Sequence, residues 1–102
     1  MSIINTSLTT SPSNIFVSSG NTVISAMYFC NYSASTITFN LYAIPTGSTF
    51  STTNIIYQAV QIAAGDTYVI DWEKLALGNG DMLQANASSN TSISSTISYL
   101  GI

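Results

Sequence analysis

The chain has 102 residues, 46% of them hydrophobic and 5% charged, with a net charge of −3 at pH 7. An ordinary soluble domain is about one-quarter charged; here Lys74 is the single base, arginine and histidine are missing, and the acids are Asp66, Asp71, Glu73 and Asp81. Such a composition excludes a histidine-based catalytic triad, offers zinc one thiol and no imidazole, and gives a phosphate backbone almost nothing to bind.

The length suits one domain, near the commonest size of about 100–150 residues, and can bury a core without metals or disulfides. No cofactor is expected. An apolar run of about 18 residues, the minimum for a spanning helix, does not occur. The opening MSIINTSLTTSPSN lacks the basic and apolar regions of a secretory signal, so synthesis in a cytoplasm and no membrane partner are expected. The Asn-X-Ser/Thr triplets at Asn5, Asn31, Asn86 and Asn90 are chance matches in a chain so rich in Ser, Thr and Asn.

In chain order, Ser2–Leu8 is a candidate strand, and residues 1–19 with Pro12 read either as an arm reaching a neighbouring subunit or as an edge strand. An arm predicts that removing residues 1–12 leaves the rest folded. Short β-rich runs follow at Asn14–Ser18, Thr22–Asn31, Thr36–Ile44, Asn54–Ala63, Thr67–Trp72, Asp81–Ser88 and Thr91–Leu100. The period is two: apolar and polar residues alternate in Ile37-Thr38-Phe39-Asn40-Leu41, as a half-buried strand requires. Turn chemistry separates the runs, as in Ser19-Gly20-Asn21, Pro45-Thr46-Gly47, Gly65-Asp66 and Gly78-Asn79-Gly80. Thr46–Thr53 is the longest loop, polar apart from Phe50, and Glu73–Leu77 is the one stretch suited to a helical turn. This spacing predicts an all-β fold, a single antiparallel β-sandwich of about 7–8 strands, jelly-roll or immunoglobulin-like, occupying residues 20–102.

Alternation nominates Ile37, Phe39, Leu41, Val60, Ile62, Val69, Ile93, Ile97 and Tyr99 for the core. Thr22–Asn31 is apolar on both faces, with Val23, Met27 and Phe29 on one side and Ile24, Ala26 and Tyr28 on the other. A strand of that kind is central in a two-sided core or covered by another subunit. Cys30 lies within AMYFCN and reads as a buried small hydrophobe.

Candidate chemistry is thin. Asp71 and Glu73 would share a strand face at i and i+2, but Lys74 follows at once and the cluster reads as a solvated turn. Asn79-Gly80-Asp81 lacks the repeated acids of a calcium loop and reads as a glycine turn. Aromatic residues can anchor interfaces, and Tyr28, Tyr42, Tyr57, Phe50 and Trp72 are the candidates for that role.

From Thr22 onward the chain resembles a group of small phage virion proteins. The similarity lies in TVISAMYFCNYSASTITFNLYAIPTGST, in NIIYQAVQIAAGDTYVIDWEKLALGNGDMLQANASS, and in the terminal TSISSTISYLGI. These motifs are turn and core residues in a particular order, and none is a functional site. The resemblance implies a β-sandwich component of a virion, non-enzymatic and multi-copy: a capsid decoration (cement) protein in contact with the major capsid protein and with its own copies. The alternatives are a neck or tail component and a receptor- or glycan-binding module using Trp72 and surface tyrosines. Nucleic acid is not an expected partner.

Overall fold

The computed structural model describes residues 2–71 and 75–102. Among these there are nine strands and no helix: β1 (Ser2–Ser7), β2 (Ser13–Val17), β3 (Thr22–Asn31), β4 (Ile37–Ile44), β5 (Ile55–Ile62), β6 (Thr67–Ile70), β7 (Leu75–Leu77), β8 (Met82–Ala87) and β9 (Ile93–Gly101). One sheet has the order β1-β9-β3-β6, with β7 also on β3; the other has the order β2-β8-β4-β5. All pairs are antiparallel. Apart from the consecutive pair β4–β5, every pair joins strands separated in sequence by crossings between the two sheets, the strand order of a jelly roll. This resolves the topology left open by the sequence.

Of the stretch Glu73–Leu77, expected as a helical turn, the described part is a strand. Leu75–Leu77 is strand β7, paired with Thr22–Ile24 of β3. Leu75 packs against the core and Leu77 is buried, the period-two placement of a strand. Sheet hydrogen bonds outweigh the weak helix preference of three residues, for which the cost of helix nucleation is never recovered. Glu73 lies outside the described residues.

The core is Leu8, Ile15, Phe16, Ile24, Met27, Phe29, Ile37, Phe39, Leu41, Ile62, Ile70, Leu77, Leu83, Ala85, Ala87, Ile93 and Ile97. An aromatic chain crosses between the sheets: Phe29 stacks on Phe39 at 4.4 Å, Phe39 meets Tyr68 edge-on at 5.8 Å, and Tyr68 meets Tyr57 at 6.1 Å. Val60 and Tyr99 pack at its margin as expected. Val69 does not. The pairing Tyr28↔Val69 turns it to the outside, while its apolar neighbours Tyr68 and Ile70 face in. Alternation could not choose among three consecutive apolar residues.

Strand β3 departs from simple alternation because the register with β9 shifts between Ile24 and Ala26. One extra residue, Ser25, occupies the bulge and reverses the face of what precedes it. Thr22, Ile24, Met27, Phe29 and Asn31 are therefore buried, and Val23, Ala26, Tyr28 and Cys30 face outward. Cys30 is half-buried on the outer surface of the sheet, not inside the core.

Within residues 2–19 two strands form. Ser2–Ser7 is the edge strand of the first sheet and Ser13–Val17 the edge strand of the second. Between and within them Leu8, Ile15 and Phe16 are core residues.

Candidate interaction surface

Every described charged residue lies outside the strands, and none of the nine strands contains one. Both outer faces of the sandwich are consequently neutral, but they differ in chemistry. On the first sheet the register aligns Asn5, Thr96, Tyr28 and Val69 in one row across four strands. Ser7, Ser94, Cys30 and Thr67 make a second row, and Ile3, Ser98 and Ala26 a third. The exposed apolar groups here are Ile3 at 67%, Leu100 at 43%, Tyr28 at 40% and Val69 at 37%. Hydroxyls and amides between them are paired within the face. Asn5 Nδ2 donates to Thr96 Oγ1 at 2.8 Å, and the Ser7 and Tyr32 hydroxyls lie 3.1 Å apart.

The second sheet presents carboxamides instead. Gln84 Nε2 donates to Asn14 Oδ1 at 2.7 Å, Asn40 Nδ2 to Asn86 Oδ1 at 3.1 Å, and Asn86 Nδ2 to Thr10 O at 3.3 Å. Each of these side chains belongs to β2, β4 or β8 and stands on the solvent side because its neighbours Ile15, Leu41, Leu83 and Ala85 face the core.

The expected aromatic residues do not converge. Tyr28 stands on the outer face of the first sheet. Tyr42 stands on the outer face of the second, where Phe50 packs edge-on against it at 5.7 Å. Tyr57 points inward and belongs to the aromatic chain of the core, so it is no surface anchor. Trp72 lies outside the described residues, as does Lys74. Of the acidic pair, Asp71 is an exposed residue beyond β6. Of the exposed apolar groups, Ile3 and Leu100 were not singled out by the sequence and Val69 was expected in the core.

The ends of the sandwich are braced by two polar side chains. At one end Asn31 is fully buried with every amide group used. Its Nδ2 donates to Ser35 O at 2.7 Å and Ile62 O at 2.8 Å, and its Oδ1 accepts from Ser33 N at 2.9 Å and Ser33 Oγ at 2.7 Å. A buried amide in this state cannot serve as a glycosylation acceptor. The sequence does hold a signal for the role, since Asn31-Tyr32-Ser33 fits a turn in which Asn bonds the backbone two residues on.

At the other end the carboxylate of Asp81 gathers three donors: Gly78 N at 2.9 Å, Thr46 N at 3.0 Å and Thr46 Oγ1 at 3.1 Å. The Gly78 amide foremost, then the Thr46 amide, hold this carboxyl below its ordinary range, against the opposing effect of partial burial. Gly80 makes the approach possible: it has φ +85° and a Cβ there would come within 2.6 Å of Thr46 Oγ1. Asn79-Gly80-Asp81 is thus a glycine turn that ties the β4–β5 loop to the β7–β8 turn.

A depressed carboxyl pKa contributes stability that is present above the unfolded value, about 4, and is lost as pH falls through the folded value. Stability followed by urea unfolding is therefore expected to decline on acidification below that point. Asp81→Asn is expected to be less stable at neutral pH and to show a flatter acid limb. An acid limb identical to the parent's would remove Asp81 from this role.

Hollows mark the surface formed by the described residues. An apolar cavity of about 190 Å³ is lined by Met27, Ile56, Tyr57, Ile70 and Leu75, where the two sheets part beside β5 and β7. A shallow polar hollow of about 470 Å³ lies within the Pro45–Asn54 loop, and another of about 190 Å³ runs between Ile44 and Leu77. Among the described residues no three acidic, thiol or imidazole side chains gather as metal ligands. No family model, curated protein or solved structure matches this chain.

Proposed function

We propose that this protein is a non-enzymatic structural component of a phage particle, carried in many copies and fastened by protein–protein contacts, with capsid decoration as its place. The observation that carries the reading is the absence of charge from every described strand. Burying an ion against a neighbour requires its hydration to be stripped or its charge matched. Neutral hydroxyls and carboxamides need only a hydrogen-bond partner, and short side chains lose little rotamer freedom when immobilised. Two broad faces of this kind suit a subunit gripped on more than one side. Viral capsid proteins use the jelly roll, but so do lectins, and a fold does not fix a function. The weight therefore rests on the surface, together with the resemblance in turn and core order.

Purified virions of the phage encoding this chain supply the test. Quantitative mass spectrometry is expected to find it in numbers commensurate with the shell, and washing at high salt to leave it in place, because neutral contacts are scarcely screened. A count matching one ring at the neck or tail would move the protein to that location. Its absence from particles would overturn the proposal.

A second reading, a glycan-binding module, is favoured by one observation: Phe50 is 48% exposed, packs on Tyr42, and lies in the chain between Thr49 and Ser51, which line the polar hollow of the Pro45–Asn54 loop. An aromatic face beside hydroxyl and amide groups is suited to stacking on a sugar. Saccharide binding that Phe50→Ala abolishes would establish it, and a flat response across a glycan array would dismiss it.

A further inference from the structure

A sandwich has exposed sheet edges, and unpaired N–H and C=O groups along them invite strand addition unless something blunts them. Three of the four edges here are blunted. Strand β2 follows Pro12 and its register breaks between Asn14 and Phe16. Strand β5 shifts register twice against β4, and Ala59 sits at φ +50° with its N–H taken by Asn40 Oδ1 at 2.7 Å. The edge at β6 and β7 is split into pieces of four and three residues.

Strand β1 has none of these devices. Its six residues, SIINTS, pair with β9 in unbroken register and include no charge, no proline and no bulge. The direction of its free groups follows from the next residue. Leu8 donates its N–H to Ile93 O at 2.8 Å and accepts from Thr91 N, so its polar groups point toward β9. Backbone groups alternate along a strand, so those of Ser2, Ile4 and Thr6 also point to β9, while those of Ile3, Asn5 and Ser7 point away from the sheet.

We propose that β1 is a self-association edge, on which β1 of a second copy pairs antiparallel about a two-fold axis at Asn5. That axis sets Ile3 of one copy opposite Ser7 of the other and Asn5 opposite its own equivalent. Each outward pair can then exchange both of its N–H···O bonds. The occupant is a second copy because the strand is self-complementary in that register. The pairing sets no charged side chain against another, since β1 carries none. Closed two-fold pairing of this kind is the commonest form of assembly. It would join the two charge-free outer faces into one continuous surface, extending the reading proposed above while depending only on the edge. One strand pair with its flanking isoleucines is smaller than a standard interface of about 1,200–2,000 Å², so the dimer is expected to dissociate on dilution.

Proline at position 5 separates the alternatives, because the Asn5 N–H is not used within the sandwich. Sedimentation velocity over a concentration series is expected to show a dimer for the parent and for Asn5→Ala. Asn5→Pro and Ile3→Lys are expected to remain monomeric throughout, with parental circular dichroism. A parent that stays monomeric at every concentration would overturn the proposal, and so would a folded Asn5→Pro that still dimerises. Should Asn5→Pro fail to fold, Ile3→Lys decides alone. Dimerisation can fail while the protein is still found on virions, so the outcome is distinct from that of the functional reading.

Discussion

Replacing Asn31 by alanine is expected to lower the unfolding free energy by about 3 kcal/mol, since each buried polar group left unsatisfied costs about 1–3 kcal/mol. The loss takes one donor from Ser35 O, which keeps Ser33 Oγ at 3.0 Å, and one from Ile62 O, and it leaves Ser33 N and Ser33 Oγ without the amide oxygen they bond to. It also frees the β3–β4 turn from the end of β5, which this amide joins beside the bonds of Asn31 N to Asp66 O and Gly65 N to Asn31 O in the following turn. A domain of this size is stable by about 5–15 kcal/mol, so the variant should unfold at clearly lower urea concentration. Asn31→Asp is the sharper probe. It keeps the shape but removes both amide donors and buries a carboxylate among carbonyl oxygens, so it should be at least as damaging as alanine. An aspartate variant as stable as the parent would show that the amide network has been misjudged.

Deletion of residues 1–12 is expected to abolish folding, not merely to detach an arm. It removes the whole β1–β9 ladder from Ser2↔Tyr99 to Ser7↔Ser94. It also removes Leu8, which is fully buried and whose N–H and C=O bond to Ile93 at the start of β9 and to Thr91 just before it. Loss of a buried Leu side chain alone costs about 2–5 kcal/mol, and Leu8→Ala should reproduce that part in urea titration. The deleted chain is expected to lack the near-ultraviolet signal of packed aromatic residues. A cooperative transition close to the parent's midpoint would restore the arm interpretation.

Much of the fold could be read from the sequence because period and punctuation agreed. Thr22–Asn31 is β3 at both ends, and the runs from Thr36 and Asn54 differ from β4 and β5 by one residue at each disputed boundary. Gly20, Gly47, Gly65 and Gly80 all adopt positive φ in the turns assigned to them. What could not be read depends on partners distant in sequence. The bulge at Ser25 exists only against β9, and it exchanged the faces of Val23 and Ile24. The outward turn of Val69 is set by its pairing with Tyr28.

The interaction surface was less legible. A tyrosine was an equal candidate for either side of its strand, and the structure puts Tyr28 and Tyr42 on opposite sheets while Tyr57 enters the core. The neutrality of the strands was visible in composition. Its arrangement, with apolar groups and hydroxyls on one face and carboxamides on the other, required the register.

Lysine placed at the middle of each outer face addresses the main contention directly: Thr96→Lys on the first sheet and Asn86→Lys on the second. Both side chains are half-buried at the surface; the hydrogen bonds they give up are worth about 0.5–1.5 kcal/mol each, less than the stability of a domain of this size, so both proteins should fold. Occupancy on virions, measured by mass spectrometry after complementation with each variant, is expected to collapse for at least one of them while the parent stays bound at high salt. Full occupancy by both lysine variants, with the parent released by salt, would contradict the account.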